Sequence, residues 1–348
     1  MKATIMSGTR KVRIEERPDP VILDPHDVIV RVVAACVCGS DLWGYRDFGT
    51  GRERLMGHEM VGVIAEVGDA VSALAPGDFV ISPFSLSDGI CQSCLEGSTS
   101  VCDHVTFFGS RDQHKHPVDG AQGELIRMPL GESSLVVVPG PVDDALIPHL
   151  LALSDVASTG HHAAVSAHVG PGDVVVVVGD GAVGLSAVLA ASRLGASRII
   201  AMSRHADRQA VAREFGATDI IEARGVDAIT ALRELLDGEL ADAALECVGT
   251  KESMEQALGS VRGGGRVGFV GVPAGGAELP IREIFDRNIT VGGGMAPART
   301  YIPQLLPEVL SGAIQPGRVF DLELPLSEVA EAYAAMDERR AIKVLLRP

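Results

Sequence analysis

Residues 172–204 have the sequence GDVVVVVGDGAVGLSAVLAASRLGASRIIAMSR, which contains the clearest pattern of strands and helices in the chain. Five consecutive valines predict a strand that is buried on both faces. A glycine-rich turn follows, and the alanine-rich run after it favours a helix. The apolar run RIIAM then predicts a second strand. A buried strand, a helix and another buried strand in this order indicate a parallel β-α-β unit.

The same alternation continues along the chain to about residue 292. The segments REFGATDII, DAALECVG and GGGRVGFVGV carry further apolar runs between helix-like stretches. Near-continuous valine and isoleucine runs that alternate with helices are typical of a doubly wound parallel sheet. We therefore predict an α/β domain over residues 154–292.

The chain before residue 154 has a different pattern. Short apolar runs such as HDVIVRVVAACVCG, EMVGVIAEVG and GDFVISPF end in turn residues. This punctuation predicts short strands joined by turns, and so a largely antiparallel β domain. A long loop region is expected from about Ser82 to Gln122. Residues 293–348 combine helix-like segments with a final apolar strand, AIKVLLRP.

The length, net charge and apolar content of the chain limit the kinds of molecule that it is expected to bind. A chain of 348 residues is long enough for about two domains. Its net charge of −16 argues against nucleic acid or an anionic membrane surface as a partner. No apolar stretch follows the basic residues of the N-terminus, and no apolar run approaches the roughly 20 residues that span a bilayer. We expect a soluble, cytoplasmic protein with a small-molecule substrate.

The glycine-rich turn predicts a dinucleotide site. Gly179, Gly181 and Gly184 form G-D-G-A-V-G directly between the valine strand and the helix. The first glycine permits the turn, the second permits close approach of a pyrophosphate, and the third permits packing of helix on strand. The N-H groups of the helix start, at Ala182 and Val183, would face the phosphates. The strand before and the helix after favour this interpretation over a merely structural turn.

The residues after the second strand bear on the choice of cofactor. Ser203, Arg204, His205 and Arg208 follow RIIAM, and no carboxylate stands where an NAD-binding acid is expected. A hydroxyl followed by guanidinium groups suits a 2′-phosphate, so we predict that NADP is preferred to NAD. The alternative is that Arg204 stacks on adenine and both cofactors bind. Further candidates for cofactor contacts are Val248 and Val270, in the segments DAALECVG and GGGRVGFVGV.

Three polar residues far apart in the chain suit a catalytic zinc ion. Cys38 lies in VCGSDLW, His58 in GHE and Asp155 in LSDVASTG. A catalytic zinc site takes three protein ligands and leaves a fourth position open for substrate. Each residue alone also fits a structural role, as a buried thiol, a core histidine or a helix cap. Their joint occurrence with the glycine-rich turn favours the zinc site.

Six motifs together resemble the medium-chain dehydrogenase/reductase family, and specifically its zinc alcohol dehydrogenases. They are C-G-S-D (38–41), G-H-E (57–59), G-D-x-V (77–80), a cysteine-rich lobe (88–102), D-x3-T-G (155–160) and G-x-G-x-x-G (179–184). The resemblance implies a GroES-like catalytic domain formed by residues 1–153 and 293–348, with the Rossmann domain between them. It also implies hydride transfer between an alcohol, or an aldehyde or ketone, and a nicotinamide cofactor. A homodimer or homotetramer is expected.

The resemblance assigns roles to single residues. Asp155 stands where many members have a second cysteine, and with Cys38 it still supplies two negative ligands. Glu59 is expected either to tune the ligands or to bind zinc during turnover, the alternative being a solvated carboxylate. Ser40 matches the hydroxyl that passes the alcohol proton to the cofactor ribose. The next relay position, often histidine, is Trp43, so the relay should continue to water. Thr159 is expected near the nicotinamide and Lys343 near the pyrophosphate.

The cysteine-rich lobe predicts a second, structural zinc ion. Cys91, Cys94 and Cys102 follow C-x2-C-x7-C, and Asp88 occupies the first position of the four-cysteine motif of the family. Structural zinc prefers four ligands, and a carboxylate oxygen is acceptable. His104 is a second candidate for the fourth ligand, and a metal-free lobe is the alternative. We expect this lobe to contribute to oligomer contacts rather than to chemistry.

Two rival functions remain. A zinc-free quinone or enone reductase, or a cofactor-binding protein with a structural role, would keep the glycine-rich turn and lack the three zinc ligands. The sequence disfavours both. The substrate is left open, including sugar alcohols, because loop aromatics are weak indicators of a pocket. The aromatics near the motif loops are Trp43, Tyr45, Phe48, Phe84 and Phe108.

Overall fold

The computed structural model describes residues 1–49, 51–273 and 278–348. The chain forms two compact units. One comprises residues 1–155 and 297–348, and the other comprises residues 156–296. The sequence pattern placed the corresponding changes after residues 153 and 292, a few residues earlier in each case.

Short strands make up most of the first unit. Those before residue 156 are β1 (Lys2–Gly8), β2 (Lys11–Glu16), β3 (Val28–Cys36), β4 (Arg54–Leu55), β5 (Met60–Val67), β6 (Phe79–Ser82), β7 (Ser85–Leu86), β8 (Thr106–Phe107), β9 (Leu125–Met128) and β10 (Val136–Val137). Two strands near the C-terminus, β17 (Leu322–Pro325) and β18 (Val344–Arg347), belong to the same unit.

The main sheet of this unit has the strand order β10-β6-β5-β3-β18-β17, with β9 also paired to β3. Its pairs are antiparallel except β17 with β18. Smaller antiparallel sheets have the orders β2-β1-β4 and β7-β8. The predicted largely antiparallel β domain is therefore confirmed. Because β18 lies beside β3, the C-terminal strand supports the strand that leads to Cys38.

The helices of the first unit are short, apart from one. They are α1 (Asp41–Arg46), α2 (Gln92–Leu95), α3 (Gly131–Ser134), α4 (Ile147–Leu153), α11 (Ala298–Leu310) and α12 (Val329–Asp337). One apolar core packs α12 and α1 together, with the ring of Tyr45 5.2 Å from that of Tyr333. A second core fills the space around β3, β5 and β9.

The second unit is a parallel sheet flanked by helices. Its strands are β11 (Val174–Val178), β12 (Arg198–Met202), β13 (Asp219–Ile221), β14 (Ala241–Glu246), β15 (Val261–Phe269) and β16 (Thr290–Gly293). Its helices are α5 (Val156–Ser166), α6 (Ala182–Arg193), α7 (Ala206–Glu214), α8 (Gly225–Leu235), α9 (Lys251–Ser260) and α10 (Ile281–Arg287).

The strand order of the second unit is β13-β12-β11-β14-β15-β16, and every pair is parallel. This is the order of a Rossmann sheet, in which the direction of winding reverses between the first and fourth strands. Ligands of such sheets bind at the carboxyl ends of the strands at that reversal. In this unit the reversal lies between β11 and β14, so the glycine-rich turn after β11 lies at the expected place.

Candidate active site and cofactor loop

Four side chains that could hold a metal ion meet inside the first unit. The potential ligand atoms of Cys38, His58, Glu59 and Asp155 all lie within 4.8 Å of one another. Cys38 follows β3, the pair His58 and Glu59 precedes β5, and Asp155 follows α4. Asp155 Oδ2 lies 3.6 Å from Cys38 Sγ and 3.5 Å from His58 Nε2. The fold thus gathers the three predicted ligands from distant segments.

Glu59 is buried in this cluster and is not a solvated carboxylate. Its Oε1 accepts a 2.7 Å hydrogen bond from Lys343 Nζ, while its Oε2 is buried with no hydrogen-bond partner. An unsatisfied buried carboxylate oxygen is costly and calls for a specific cause. A cation held by the neighbouring ligands would provide one. The cluster therefore fits a zinc ion.

Lys343 is itself fully enclosed. Its side chain is 1% exposed, and Nζ also donates to the carbonyl oxygen of Val37 at 3.3 Å. The ammonium group lies 5.7 Å from the ring centroid of Phe320. Lys343 is thus an enclosed ion-pair partner of Glu59 in the candidate metal cluster. Its predicted contact with a pyrophosphate stays a prediction.

Asp41 orients two of the candidate ligands, a role that the sequence reasoning missed. Its Oδ1 lies 3.5 Å from His58 Nδ1, and its Oδ2 accepts a 3.0 Å hydrogen bond from the Cys38 N–H. Gln122 Nε2 also donates to Oδ2, at 3.4 Å. A carboxylate on the remote nitrogen of a ligating histidine fixes the ring and raises its basicity. The signal was present as the last residue of C-G-S-D, but spacing alone does not reveal the contact.

Gln122 and Gly57 determine how closely the G-H-E segment approaches the adjacent loop. Gly57 has a φ of 90°, and a Cβ there would overlap the Gln122 backbone and side chain. Gln122 in turn accepts a 3.1 Å hydrogen bond from the hydroxyl of Tyr333. The first residue of G-H-E therefore has to be glycine for both conformational and steric reasons.

Two residues of this cluster, Cys38 and His58, have raised pKa values and therefore hold their protons more tightly. Burial raises the pKa of the Cys38 thiol, and the negative charge of Glu59 raises it further. Burial alone would lower the pKa of His58, but the negative charges of Cys38 and Asp41 outweigh it and raise this pKa well above its ordinary value. Binding of a divalent cation to these groups would therefore release protons.

A second cluster lies in the lobe formed by residues 88–102. The potential ligand atoms of Asp88, Cys91, Cys94 and Cys102 lie within 4.8 Å of one another. His104, the other candidate, lies outside this set, and its Nδ1 is 2.8 Å from Asp88 Oδ2. The Cys102 sulfur accepts hydrogen bonds from the backbone N–H groups of Asp88 and His104, each at 3.3 Å.

Charges in the lobe are distributed unevenly. Burial raises the pKa of Asp88, but hydrogen bonds from the Cys91 N–H and the His104 ring outweigh it and hold this pKa well below its ordinary value. Hydrogen bonds from the backbone N–H groups of Asp103 and Cys94 lower the pKa of the Cys91 thiol. Burial raises the pKa of Cys94 to about 12. The lobe thus offers a carboxylate and an acidified thiol as the first groups for a cation.

The glycine-rich turn of the second unit has the features of a phosphate-binding loop. Gly179 has a φ of 118°, which favours glycine, and a Cβ on Gly184 would collide with the Gly179 carbonyl oxygen. Around Gly181, by contrast, a Cβ would meet nothing within 4 Å. No side chain caps α6. The N–H groups of Ala182 and Val183 at the helix start therefore suit a pyrophosphate.

A carboxylate from the turn after β11 reaches the end of β12, where the sequence pattern placed none. Ser203 is buried, and its hydroxyl donates to Asp180 Oδ2 at 2.9 Å. Arg208 donates to Asp180 Oδ1 and to the Asp180 carbonyl oxygen, each at 3.3 Å. Arg204 is exposed, and His205 precedes the first residue of α7. Asp180 is the second residue of G-D-G-A-V-G. Its carboxylate thus accepts hydrogen bonds from two of the side chains that were predicted to bind phosphate, Ser203 and Arg208.

The remaining predicted cofactor residues lie on the same unit. Thr159 is buried in α5. Val248 is 46% exposed just beyond the carboxyl end of β14, and Val270 is buried just beyond that of β15. The side chain of Val248 packs closely against the glycine-rich turn, because a Cβ on Gly179 would lie 2.8 Å from it.

Residues around Cys38 differ in exposure. Ser40 is half-buried at the start of α1, and its side chain makes no capping hydrogen bond to that helix. Trp43 is 44% exposed. Of the other aromatics considered for a substrate pocket, Tyr45, Phe48 and Phe108 pack against the apolar cores. The side chains of Ser40 and Trp43 thus remain available for a role outside the core.

Comparison with known proteins identifies the family. Residues 24–140 match the alcohol dehydrogenase GroES-like domain, and residues 182–311 match the zinc-binding dehydrogenase domain. Zinc-type alcohol dehydrogenase B of Aspergillus flavus is 32% identical over 359 residues, which cover 100% of this chain and 81% of the relative. The chain belongs to the zinc-type alcohol dehydrogenases. The predicted fold class, a GroES-like domain with a Rossmann sheet, is thereby confirmed.

Two further relatives of this alcohol dehydrogenase match along almost their full length. Sorbitol dehydrogenase of Bacillus subtilis is 32% identical over 357 residues, covering 100% of this chain and 97% of the relative. The structure of alcohol dehydrogenase TADH from Thermus sp. ATN1 has a TM-score of 0.91 at 33% identity, covering 100% of this chain and 99% of that one. These matches favour a zinc-dependent oxidoreductase over the two rival functions. Within the described ranges, no helix has the length and apolar character needed to cross a membrane.

Proposed function

We propose that Cys38, His58 and Asp155 hold the catalytic zinc ion of this alcohol dehydrogenase. The proposal rests on the buried cluster with its unsatisfied Glu59 oxygen. Zinc supplies Lewis acidity toward the oxygen of the alcohol or carbonyl, and the nicotinamide cofactor exchanges the hydride. Cys38 and Asp155 balance the charge of the cation, and Asp41 fixes the ring of His58 for binding.

The test combines metal analysis with a substrate panel. Primary, secondary, aromatic and sugar alcohols, and the matching carbonyls, would be assayed by absorbance of the reduced cofactor. We expect activity to disappear on removal of zinc by a chelator and to return when zinc is restored. Full activity of a metal-free preparation would contradict the proposal.

Ser40 is proposed to carry the alcohol proton toward the cofactor ribose and then to water. Its hydroxyl is not used to cap α1, which distinguishes it from a merely structural serine. Trp43 cannot continue the relay, because an indole N–H only donates. We expect Ser40→Ala to lower kcat and to change its pH profile, whereas Ser40→Thr should restore both. An unchanged profile in the alanine variant would exclude the relay.

We propose a structural zinc ion in the lobe, bound by Asp88, Cys91, Cys94 and Cys102, and a subunit contact beside it. Apolar side chains are unusually exposed next to this cluster: Ile90 at 77%, Leu95 at 72% and Val101 at 57%. Such side chains are typical of an interface core. Light scattering should find a dimer or tetramer for the wild type and smaller species for Leu95→Asp. Unchanged assembly would place the interface elsewhere.

We propose that residues 154–292 form the nucleotide-binding domain and that NADP is preferred. Ser203 and Arg204 follow β12, and the exposed guanidinium of Arg204 is suited to a 2′-phosphate. The measurement is kcat/KM with each cofactor. We expect the wild type to favour NADP and Ser203→Asp with Arg204→Ala to favour NAD. A wild type that prefers NAD would overturn the preference.

A cytoplasmic location is proposed from the cysteines. All six are free thiols, and three of them form the lobe cluster. Thiols kept as metal ligands are typical of a reducing compartment. Fractionation of cells that express the protein tests this location, and recovery outside the cytoplasm would contradict it.

A further inference from the structure

The carboxylate of Asp180 has an unusual position. It belongs to the glycine-rich turn, yet its two oxygens take hydrogen bonds from side chains at and beyond the end of β12. The side chains of Asp180 and Arg208 are only 14% and 11% exposed. This carboxylate is therefore held in a defined place, between the turn that suits a pyrophosphate and the side chains that suit a 2′-phosphate.

In Rossmann domains an acid that binds the ribose 2′-hydroxyl ordinarily follows the second strand. In this chain the residue after β12 is Ser203, whose hydroxyl donates to Asp180 Oδ2. Asp180 thus brings a carboxylate to the place where the strand itself supplies none. A carboxylate there accepts hydrogen bonds from ribose hydroxyls and repels a phosphate.

We propose that Asp180 limits the selectivity of this enzyme for NADP. Its carboxylate accepts hydrogen bonds from the Ser203 hydroxyl and from NH1 of Arg208, two donors that a 2′-phosphate would otherwise take. The 2′-phosphate of NADP competes with Asp180 for these donors and is repelled by its charge, whereas NAD carries no such phosphate. The inference rests on the proposed cofactor site, and it makes Asp180 a specificity-determining residue of the turn.

Arg208 need not move when the Asp180 side chain is removed. Its NH1 also donates to the Asp180 carbonyl oxygen, which every residue at that position retains. The chain remains anchored on the other side of Ser203 as well, because Gln209 Nε2 donates to the Ser203 carbonyl oxygen at 3.0 Å. Replacing Asp180 should therefore free Arg208 and Ser203 for phosphate without releasing them from the site.

The test measures binding of cofactor fragments by calorimetry, with zinc-loaded protein and without turnover. The probes are adenosine 2′,5′-bisphosphate and adenosine 5′-monophosphate, which differ by the 2′-phosphate. For Asp180→Ala we expect the ratio of the two affinities to shift toward the bisphosphate by at least about tenfold. Asp180→Asn, which keeps a hydrogen-bond acceptor for Ser203 and removes the charge, should shift it in the same direction. Arg208→Ala should shift it in the opposite direction.

Asp219→Asn is the matched control. Asp219 pairs with Arg198 at 2.8 Å at the opposite, amino-terminal edge of β12, so its charge should not affect either fragment. An unchanged ratio in both Asp180 variants would overturn the inference, as would an equal loss of affinity for both fragments. A wild type that prefers NAD would refute only the proposed preference, since the shift on removing Asp180 is measured independently.

Discussion

The two candidate metal clusters of this enzyme differ in how the chain builds them. The lobe cluster comes from one segment of the chain, Asp88 to Cys102, and its proposed ligands lie on a loop and a single helical turn. The other cluster draws Cys38, Glu59 and Asp155 from segments far apart in the sequence. The lobe is partly exposed, whereas Glu59 and its partner Lys343 are enclosed.

This difference predicts different roles for a metal ion in the lobe cluster and in the buried cluster. A local cluster can bind its ion as soon as its own loop is made, and the ion then orders that loop. A cluster assembled from distant strands depends on the finished fold, so the fold determines its geometry before metal arrives. Loss of metal should therefore cost mainly stability in the lobe and mainly catalysis in the buried cluster. Four variants test that contrast.

The largest effect is expected for Asp155→Ala. Removal of one of three ligands should lower kcat/KM by about a thousandfold, since the Lewis-acid contribution amounts to several kcal/mol. Zinc should fall from about two ions per chain to about one. Asp155→Cys, which restores a negative ligand, should recover zinc and much of the activity. If the alanine variant kept both zinc ions and full turnover, Asp155 would not be a ligand of the catalytic zinc.

Cys94→Ser should lower stability and leave activity nearly unchanged, in contrast to Asp155→Ala. Loss of the lobe ion belongs to the class of changes that cost more than about 4 kcal/mol, so the melting temperature should fall by roughly 10 °C. Below that temperature kcat should change little. Cys247→Ser, at a half-buried cysteine outside both clusters, is the control. Equal zinc contents in the wild type and Cys94→Ser would show that the lobe binds none.

Lys343→Met tests the support of the buried cluster. It leaves the Glu59 carboxylate without its partner, and breaking a buried ion pair costs roughly 3–5 kcal/mol. We expect a large fall in the melting temperature of zinc-free protein and a smaller fall with zinc bound, because the cation replaces the lost charge. Lys251→Met, which breaks an exposed pair with Glu255, should have no such effect. An equal fall in melting temperature with and without zinc would show that the metal ion does not compensate the charge of Glu59.

The smallest effect is expected for His104→Ala, which decides the fourth ligand of the lobe. His104 is half exposed, so loss of its contact with Asp88 should cost no more than about 1 kcal/mol. Zinc content should stay unchanged in this variant and fall in Asp88→Ala. The reverse result, with zinc lost only on replacing His104, would assign the fourth position to the histidine.

Local patterns predicted the second unit well. The valine strand, the turn from Gly179 to Gly184 and the next strand lie where the sequence placed them, because a β-α-β unit is formed by near neighbours in the chain. The composition of the lobe cluster was likewise predictable, because its members share one loop. Asp88 followed from comparison with the four-cysteine motif of the family, and its ligand role stays a prediction.

Long-range contacts were not predictable in the same way. Asp41, Gln122 and Lys343 surround the buried cluster through pairings that span much of the chain, and no periodicity records them. Asp180 is a similar case. Its place in a turn was predicted, but the direction of its side chain, toward Ser203, depends on how β11 and β12 lie side by side.

The pairing of β18 with β3 also has a consequence for synthesis on the ribosome. The first unit cannot be completed until β18 emerges, because β18 pairs with β3, and Lys343, just before β18, forms an ion pair with Glu59. Residues 156–296 are made in between, and at roughly 5–20 residues per second this takes on the order of ten seconds. A chain that stops before Lys343 would therefore carry all three proposed zinc ligands and an uncompensated buried carboxylate. The buried cluster is therefore completed by the synthesis of Lys343 and β18, long after its three proposed ligands have been made.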